Sequence, residues 1–189
     1  MSYGAGPNAT HQRQVHQSPL IVAELADELA RNHRAAFGWA LACCQWDRSA
    51  AEDVLQTAYL KVVDGRAQFS GRSEFRTFLF GVIRRTALDE RRRHAVRSAF
   101  SLDWLRSNGH DPAGPSSALG TLIVDENNAA LVAALSKLSG RQREVLHLVF
   151  YQDLTIAEAS SVLAITLGSA RVHYERGKAR LRELLGDDT

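Results

Sequence analysis

Apolar residues recur at helical spacing along most of this chain. From Leu20 to about Trp46, the residues Leu25, Leu29, Phe37, Leu41 and Cys44 form such a stripe, which predicts an amphipathic helix with one buried side. A second helix is expected from Ala50 to Asp64, with Val54, Leu55, Ala58, Tyr59 and Val62 on one side and Glu52, Asp53, Gln56 and Lys61 on the other. Gly65 breaks that pattern, and Gln68-Phe69-Ser70-Gly71-Arg72 reads as a loop. Ser73 stands where it can cap a third helix, whose stripe is Phe75, Phe78, Leu79, Val82, Ile83 and Thr86. The outer face of that helix carries Arg76, Arg84, Asp89, Arg92 and Arg93.

Between His94 and Asp125 the periodicity fails. Asn108-Gly109, Asp111-Pro112 and Gly114-Pro115-Ser116-Ser117 supply turn and linker chemistry there. The Ser101–Leu105 stretch, with Trp104, is more apolar than a free linker requires and reads as a docking segment. Helical patterns resume at Glu126–Leu138, and three further helices are placed by their starts. Ser139-Gly140-Arg141-Gln142 and Thr155-Ile156-Ala157-Glu158 fit the capping box, in which a hydroxyl and a carboxylate or amide satisfy free helix amides reciprocally. Thr166 is the expected N-cap of a last helix that runs to about Leu185, where Gly186 stops it. Helix 155–163, the turn at Ala164-Ile165 and helix 167–185 form a helix-turn-helix candidate. Residues 1–19 are polar and aperiodic and read as a disordered lead-in, where His11 and His16 are taken as solvent-exposed rather than metal ligands. The expectation is an all-α chain of two small helical domains, 20–97 and 126–185, joined by a flexible linker at 98–125.

Charge sharpens this division. The net charge is only +2, and 20 of the 23 basic residues are arginine. Eight arginines between Arg72 and Arg97 against three acids make a local +5, and Arg171–Arg182 carries +4, while 19–66 sums to −2 and 98–170 to −3. Arginine forks suit phosphates and base edges, so two basic patches imply contact with a polyanion at two places; two solvated helix faces are the plainer alternative. The second patch lies on the last helix of the helix-turn-helix, where a DNA reader needs it.

Other classes are excluded. No apolar run is long enough to cross a membrane and no secretory leader is recognisable, so a cytoplasmic location is expected. The two cysteines, Cys43 and Cys44, are adjacent, which rules out a disulfide framework or a four-cysteine zinc site and leaves a small buried thiol as the expected role. No phosphate loop, dinucleotide fingerprint, HExxH or nucleophile elbow occurs; an enzyme is not expected, and neither is a cofactor or metal.

The chain resembles the bacterial RNA polymerase sigma factors of the sigma-70 type, in the extracytoplasmic-function (ECF) group, over roughly residues 20–97 and 126–185. The run Ala51-Glu52-Asp53-Val54-Leu55-Gln56-Thr57-Ala58-Tyr59-Leu60-Lys61 resembles that family's polymerase-clamp helix, with Thr57 where an acid is usual. Phe69 to Leu79, continued by Arg84 to Arg93, resembles the segment that melts and reads the −10 element, with Phe78 in place of a usual tryptophan and Arg85 in place of a usual asparagine. Leu138 to Leu146 and the helix-turn-helix resemble the −35 reader, with Ser139 for a usual proline, Ala164 for a turn glycine and Val172-His173 for a usual Ser-Arg pair. If Ala164 takes positive φ, the cost is about 1 kcal/mol.

The resemblance implies a protein that binds core RNA polymerase, through its β and β′ subunits, and directs it to promoter DNA. Core contacts fall to Asp53, Gln56, Tyr59 and Leu60. The −10 contacts fall to Phe69, Ser70, Arg72, Phe75, Arg76, Arg84, Arg85, Arg92 and Arg93, since melted DNA needs aromatics and arginines to hold flipped bases and backbone. Phe69 and Phe75 stand equally as core anchors. The −35 contacts fall to Arg171, Val172, His173, Glu175, Arg176 and Lys178; Arg176 suits guanine O6 and N7, and Glu175 suits cytosine N4, while Lys178 suits a phosphate or is plain surface charge. Family members are commonly held by an anti-sigma partner. The rival reading is an autonomous helix-turn-helix regulator, which leaves the 51–93 match unexplained.

Overall fold

A computed structural model describes residues 19–107, 131 and 133–186, with side chains over 23–97, 131 and 133–186. Its described elements are all helical: α1 (Pro19–Cys43), α2 (Arg48–Val63), α3 (Phe75–Ser107), α4 (Gly140–Phe150), α5 (Ile156–Leu163) and α6 (Leu167–Gly186). Residues 133–136 add a short helical stretch before α4. The expected lead-in with His11 and His16, residues 108–125 of the expected linker, and the start of the 126–138 helix lie outside the described residues.

Four starts follow from local chemistry. The Asp47 carboxylate accepts from the Ala50 amide and begins α2 at Arg48, two residues before the expected start at Ala50. Both expected capping boxes form: Ser139 with Gln142, and Thr155 with Glu158, whose carboxylate also accepts from the Thr155 hydroxyl at 2.6 Å. Thr166 Oγ1 accepts from the Ser169 amide at 3.1 Å and caps α6 as expected. Ser73 does not cap α3: its hydroxyl donates to the Glu74 carbonyl, and the helix begins at Phe75. Nor does α3 end at His94. It runs on to Ser107 through the point where the apolar stripe fades, because a helix holds its own backbone bonds without needing a buried face at every turn. The Ser101–Leu105 stretch is therefore helical in backbone; its side chains lie outside the description.

The α1 stripe is rotated from the expected one. Leu29, Ala36, Trp39, Ala40 and Cys43 are the buried positions, with Leu25, Phe37, Leu41 and Cys44 only partly covered. The helix stops at Cys43 rather than near Trp46, since Gln45 and Trp46 both take positive φ (57° and 68°). That turn costs about 1–2 kcal/mol per residue, and it sets the Trp46 ring edge-on to His147 at 6.4 Å. Burial pushes both thiols up, Cys44 to about 11, so neither is a thiolate near neutrality.

The helices form two lobes, α1–α3 and α4–α6, yet the buried apolar residues make one continuous cluster. Val145, Leu148, Leu154, Ala159, Val162 and Leu163 join Trp39, Leu79, Phe80 and Ile83 in it. Across the seam His147 lies over Trp39 at 5.5 Å, and the Gln152 amide reaches to Gly38. Within the second lobe Gly177 lets α6 approach α4: a β-carbon there would meet Gln142 and Leu146 at 3.1 Å.

Ala164 has φ 50° and ψ 48°, the left-handed C-cap of α5, as the missing turn glycine requires. Ala164→Gly is therefore expected to add about 1 kcal/mol of stability, which a melting curve reads as a rise of about 2–4 °C. An unchanged or lower midpoint would contradict the strain assigned to this turn.

Candidate nucleic-acid and polymerase interface

On α2, Asp53, Gln56, Leu60 and Val63 follow one another at i, i+3, i+7 and i+10, which puts them on a single exposed ridge. Leu60 is 49% and Val63 42% exposed, an apolar pair that the buried face of α2 leaves open to solvent. Beside the ridge lies an open depression of about 450 Å³, floored by Phe37, Leu55 and Tyr59 and edged by Gln56, Leu60 and Val63. Tyr59 is half-buried, its hydroxyl sits 3.1 Å from His33 Nδ1, and burial pushes the phenol up to about 12, so it stays a neutral hydrogen-bonding group. Asp53 lies on the other flank, in a groove shared with Cys44, Glu90, Arg91 and His94. Three of the four expected core-binding residues, Asp53, Gln56 and Leu60, thus share one ridge, with Tyr59 beside it. Val63 belongs with them and was not foreseen, although its i+3 spacing from Leu60 was available.

The loop between α2 and α3 carries the second group. Gly71 takes φ +70° with open space where a side chain would be, so the chain turns there without strain. The turn brings Phe69 against the first turn of α3, where its ring meets Phe75 at 5.4 Å and Phe78 at 5.3 Å; Phe75 and Phe78 are themselves 5.9 Å apart. Phe69 remains 45% exposed and tops a three-ring platform whose lower members are half-buried. Such a platform offers a stacking surface to a base. Ser70 and Arg72 are exposed around it, as are Arg85, Arg92 and Arg93 farther along α3, with Arg93 paired to Glu90 at 2.6 Å. Phe78 was expected only as helix core; its place in the platform follows from i, i+3 neighbourhood with Phe75.

Arg84 departs from expectation. Its spacing puts it on the outer face of α3, with a DNA contact implied by the resemblance, but the second lobe covers that position and leaves the residue 7% exposed. Its Nε donates to Glu144 Oε1 at 3.2 Å and its Nη2 to Oε2 at 3.4 Å, while Arg141 Nη1 donates to the same carboxylate at 3.1 Å. Burial pushes the Glu144 carboxyl up, and Arg141, Arg91, Arg143 and His173 pull it back. Arg76 is half-buried on the same side and lines one crevice with Glu158. The α3 arginines thus divide into an exposed set and a covered set, which a charge count along the chain does not separate.

On α6, Arg171, Val172, Glu175 and Arg176 are all exposed on one side, with Val172 at 47%. His173 and Tyr174 are partly covered; Tyr174 stacks on Phe150 at 5.9 Å and packs against the core. Lys178 lies over the Tyr174 ring at 5.1 Å and 3.7 Å from Glu175, so its charge is already partly engaged. The face open to a groove is therefore narrower than the expected six residues and centres on Arg171, Val172, Glu175 and Arg176. Among the described residues no cluster of histidine, cysteine or carboxylate fits a metal ion.

Comparison with known proteins gives a consistent picture. The family model for Sigma-70 region 2 matches residues 29–97, and that for Sigma-70, region 4 matches residues 134–183. The RNA polymerase sigma factor CarQ of Myxococcus xanthus is 30% identical over 137 residues, which span 72% of this chain and 75% of that protein. The ECF RNA polymerase sigma factor SigX of Bacillus subtilis is 29% identical over 140 residues, 72% of this chain and 71% of that one. Among solved structures, the sigma factor RpoE from Bartonella quintana, in complex with the anti-sigma factor NepR, superposes with a TM-score of 0.66 at 22% identity, covering 88% of this chain and 99% of that chain. CnrH, in complex with the cytosolic domain of CnrY, gives 0.60 at 21% identity over 88% of this chain and 90% of that one. At such identities these two speak for the fold alone.

Proposed function

The chain belongs to the sigma-70 family of RNA polymerase sigma factors, in its ECF group, and from that membership we propose that it binds core RNA polymerase, directs it to specific promoters and assists melting of the DNA. What carries the reading is the presence in one chain, in this order, of a region 2 and a region 4 match, each falling on one helical lobe. It is a transcription factor rather than an enzyme. In this reading residues 20–97 hold the polymerase and the −10 element, 98–125 link, and 126–185 read the −35 element. The α2 ridge of Asp53, Gln56 and Leu60, with Tyr59 beside it, meets the polymerase clamp. The platform of Phe69, Phe75 and Phe78 holds a flipped or unstacked base, with Ser70 and Arg72 at its rim, while the exposed Arg85, Arg92 and Arg93, with the half-buried Arg76, take the strand and Arg84 is held by Glu144. On α6, Arg176 and Glu175 read base edges, and Arg171, Val172, His173 and Lys178 fit and anchor the helix.

The partners are the β and β′ subunits, promoter DNA and an anti-sigma protein of the kind seated on RpoE. Work alongside the polymerase puts the chain in the cytoplasm; no described helix is long and apolar enough to cross a membrane.

Two experiments test this. Arg176→Ala is expected to cut run-off transcription from a −35-dependent promoter about tenfold to a hundredfold, equivalent to about 1–3 kcal/mol, with co-purification of core polymerase intact; unchanged transcription removes the residue from the reader. The double variant Asp53→Ala, Gln56→Ala is expected to lose co-purification, and a variant that still carries core enzyme through a column would sink the ridge assignment. A gel shift separates the rival regulator: a sigma factor binds promoter duplex weakly until core polymerase is added.

A further inference from the structure

The outward crest of α6 carries one apolar side chain among charged ones. Ala170 and Gly177 are buried and Tyr174 packs against the core, so these three mark the inner side of the helix. At 3.6 residues per turn, Val172 stands about 140–160° from each of them and points almost straight away from the protein. Its exposed neighbours on that side, Arg171, Glu175 and Arg176, are all charged. The other exposed large apolar residues of α6, Leu167 and Leu185, lie near its two ends. Within α6, Val172 therefore joins no apolar stripe, and it lies outside the core cluster.

A helical side chain leans toward the helix N-terminus and covers the turn before its own position. One turn before Val172 stands the exposed Gly168, where an added β-carbon would find only the Thr166 hydroxyl, at 4.0 Å. The methyl groups of Val172 thus border a bare stretch of helix that a base edge can approach closely. A β-branched side chain in a helix keeps mostly one χ1 rotamer, so those methyls are in place before anything binds. In the major groove only thymine presents an apolar group, its C5-methyl. Valine has no donor or acceptor; it rewards that methyl and leaves the polar edge of any other base without a partner. Resting on the reading of α6 as the −35 helix, we propose that Val172 is a specificity-determining residue, which selects thymine in the −35 element by packing on its C5-methyl. Arg176 follows one turn later, about 6 Å along the axis, against about 3.4 Å between successive base pairs. The selected thymine accordingly lies within about two base pairs of the guanine that Arg176 takes.

The test uses holoenzyme formed from the full chain and core polymerase, which first selects its −35 element from a promoter library randomised there. Deoxyuridine then replaces each thymine of the selected element in turn, on either strand. That change removes the methyl and keeps every hydrogen bond of the base pair. At one position it is expected to cut run-off transcription at limiting holoenzyme about threefold to fivefold, the worth of one buried methyl. The same templates are read with Val172→Ser, whose hydroxyl serves either kind of base edge and whose exposed position leaves the fold intact. This variant is expected to transcribe the thymine and deoxyuridine templates equally. An element without a methyl-sensitive thymine overturns the proposal. So does a deoxyuridine penalty that persists in the serine variant, which would belong to DNA shape rather than to Val172. A chain that directs core polymerase to no promoter fails the sigma-factor reading instead; selection and substitution are then repeated on duplex DNA bound by the chain alone in a gel shift, where the same two ratios judge Val172. A chain that binds no DNA overturns both.

Discussion

Trp39→Ala is expected to cost about 3–5 kcal/mol of folding stability, the range for truncating a buried aromatic. Trp39 is fully buried and heads the buried side chains in size among the described residues. Its ring packs against Phe80 of α3 and His147 of α4, and its Nε1 donates to the Phe80 carbonyl at 3.0 Å. The alanine variant loses contacts to both lobes and leaves a cavity where α1, α3 and α4 converge. Trp39→Phe keeps much of the ring and loses the donor, so its cost should be smaller, about 1–3 kcal/mol. Urea unfolding followed by circular dichroism measures both. An alanine variant within about 1 kcal/mol of the wild type would show that the seam does not close on this residue.

Acid should act through the same place. His147 is enclosed by Trp39, Trp46 and Tyr151, and its Nε2 lies 3.3 Å from the Gln152 amide. Burial lowers its pKa from 6.5 to about 4. Above pH 6.5 the imidazole is neutral in both states and pH has no effect through it. As pH falls toward 4 the unfolded chain takes up a proton that the folded chain refuses, and stability drops by about 3 kcal/mol. Glu158, held below the usual carboxylate range by the Thr155 hydroxyl and amide, has the same sign but acts below about 4.5. Glu144, pushed up by burial, acts oppositely, since its folded form takes the proton first. Both carboxyls are common to the wild type and His147→Phe, so the difference between their stability curves isolates the imidazole. The phenylalanine variant is expected to lose most of the decline between pH 6.5 and 4; parallel curves would mean that His147 titrates freely.

Much of this was legible along the chain. Ser139, Thr155 and Thr166 start their helices as read, because a cap joins residues two or three apart and needs nothing distant. Ala164 takes the left-handed turn that its place between two helices demanded. The motif in α2 was legible for the same reason, since a ridge on one helix is set by spacing alone. The failures share a cause. The buried stripe of α1 lies one position from the one its spacing predicts, because Trp39 is buried by Phe80 and His147, residues 41 and 108 positions away. Arg84 was placed outside because nothing near it in sequence covers it; Glu144, 60 positions on, does.

The sequence by itself determined the helices, their caps, the two basic blocks and the family, all of which rest on local spacing and residue type. Only the tertiary structure decided which arginines of the first block face solvent and which face acid. That depends on how the second lobe seats on α3, and non-local contact leaves no period in the chain to read.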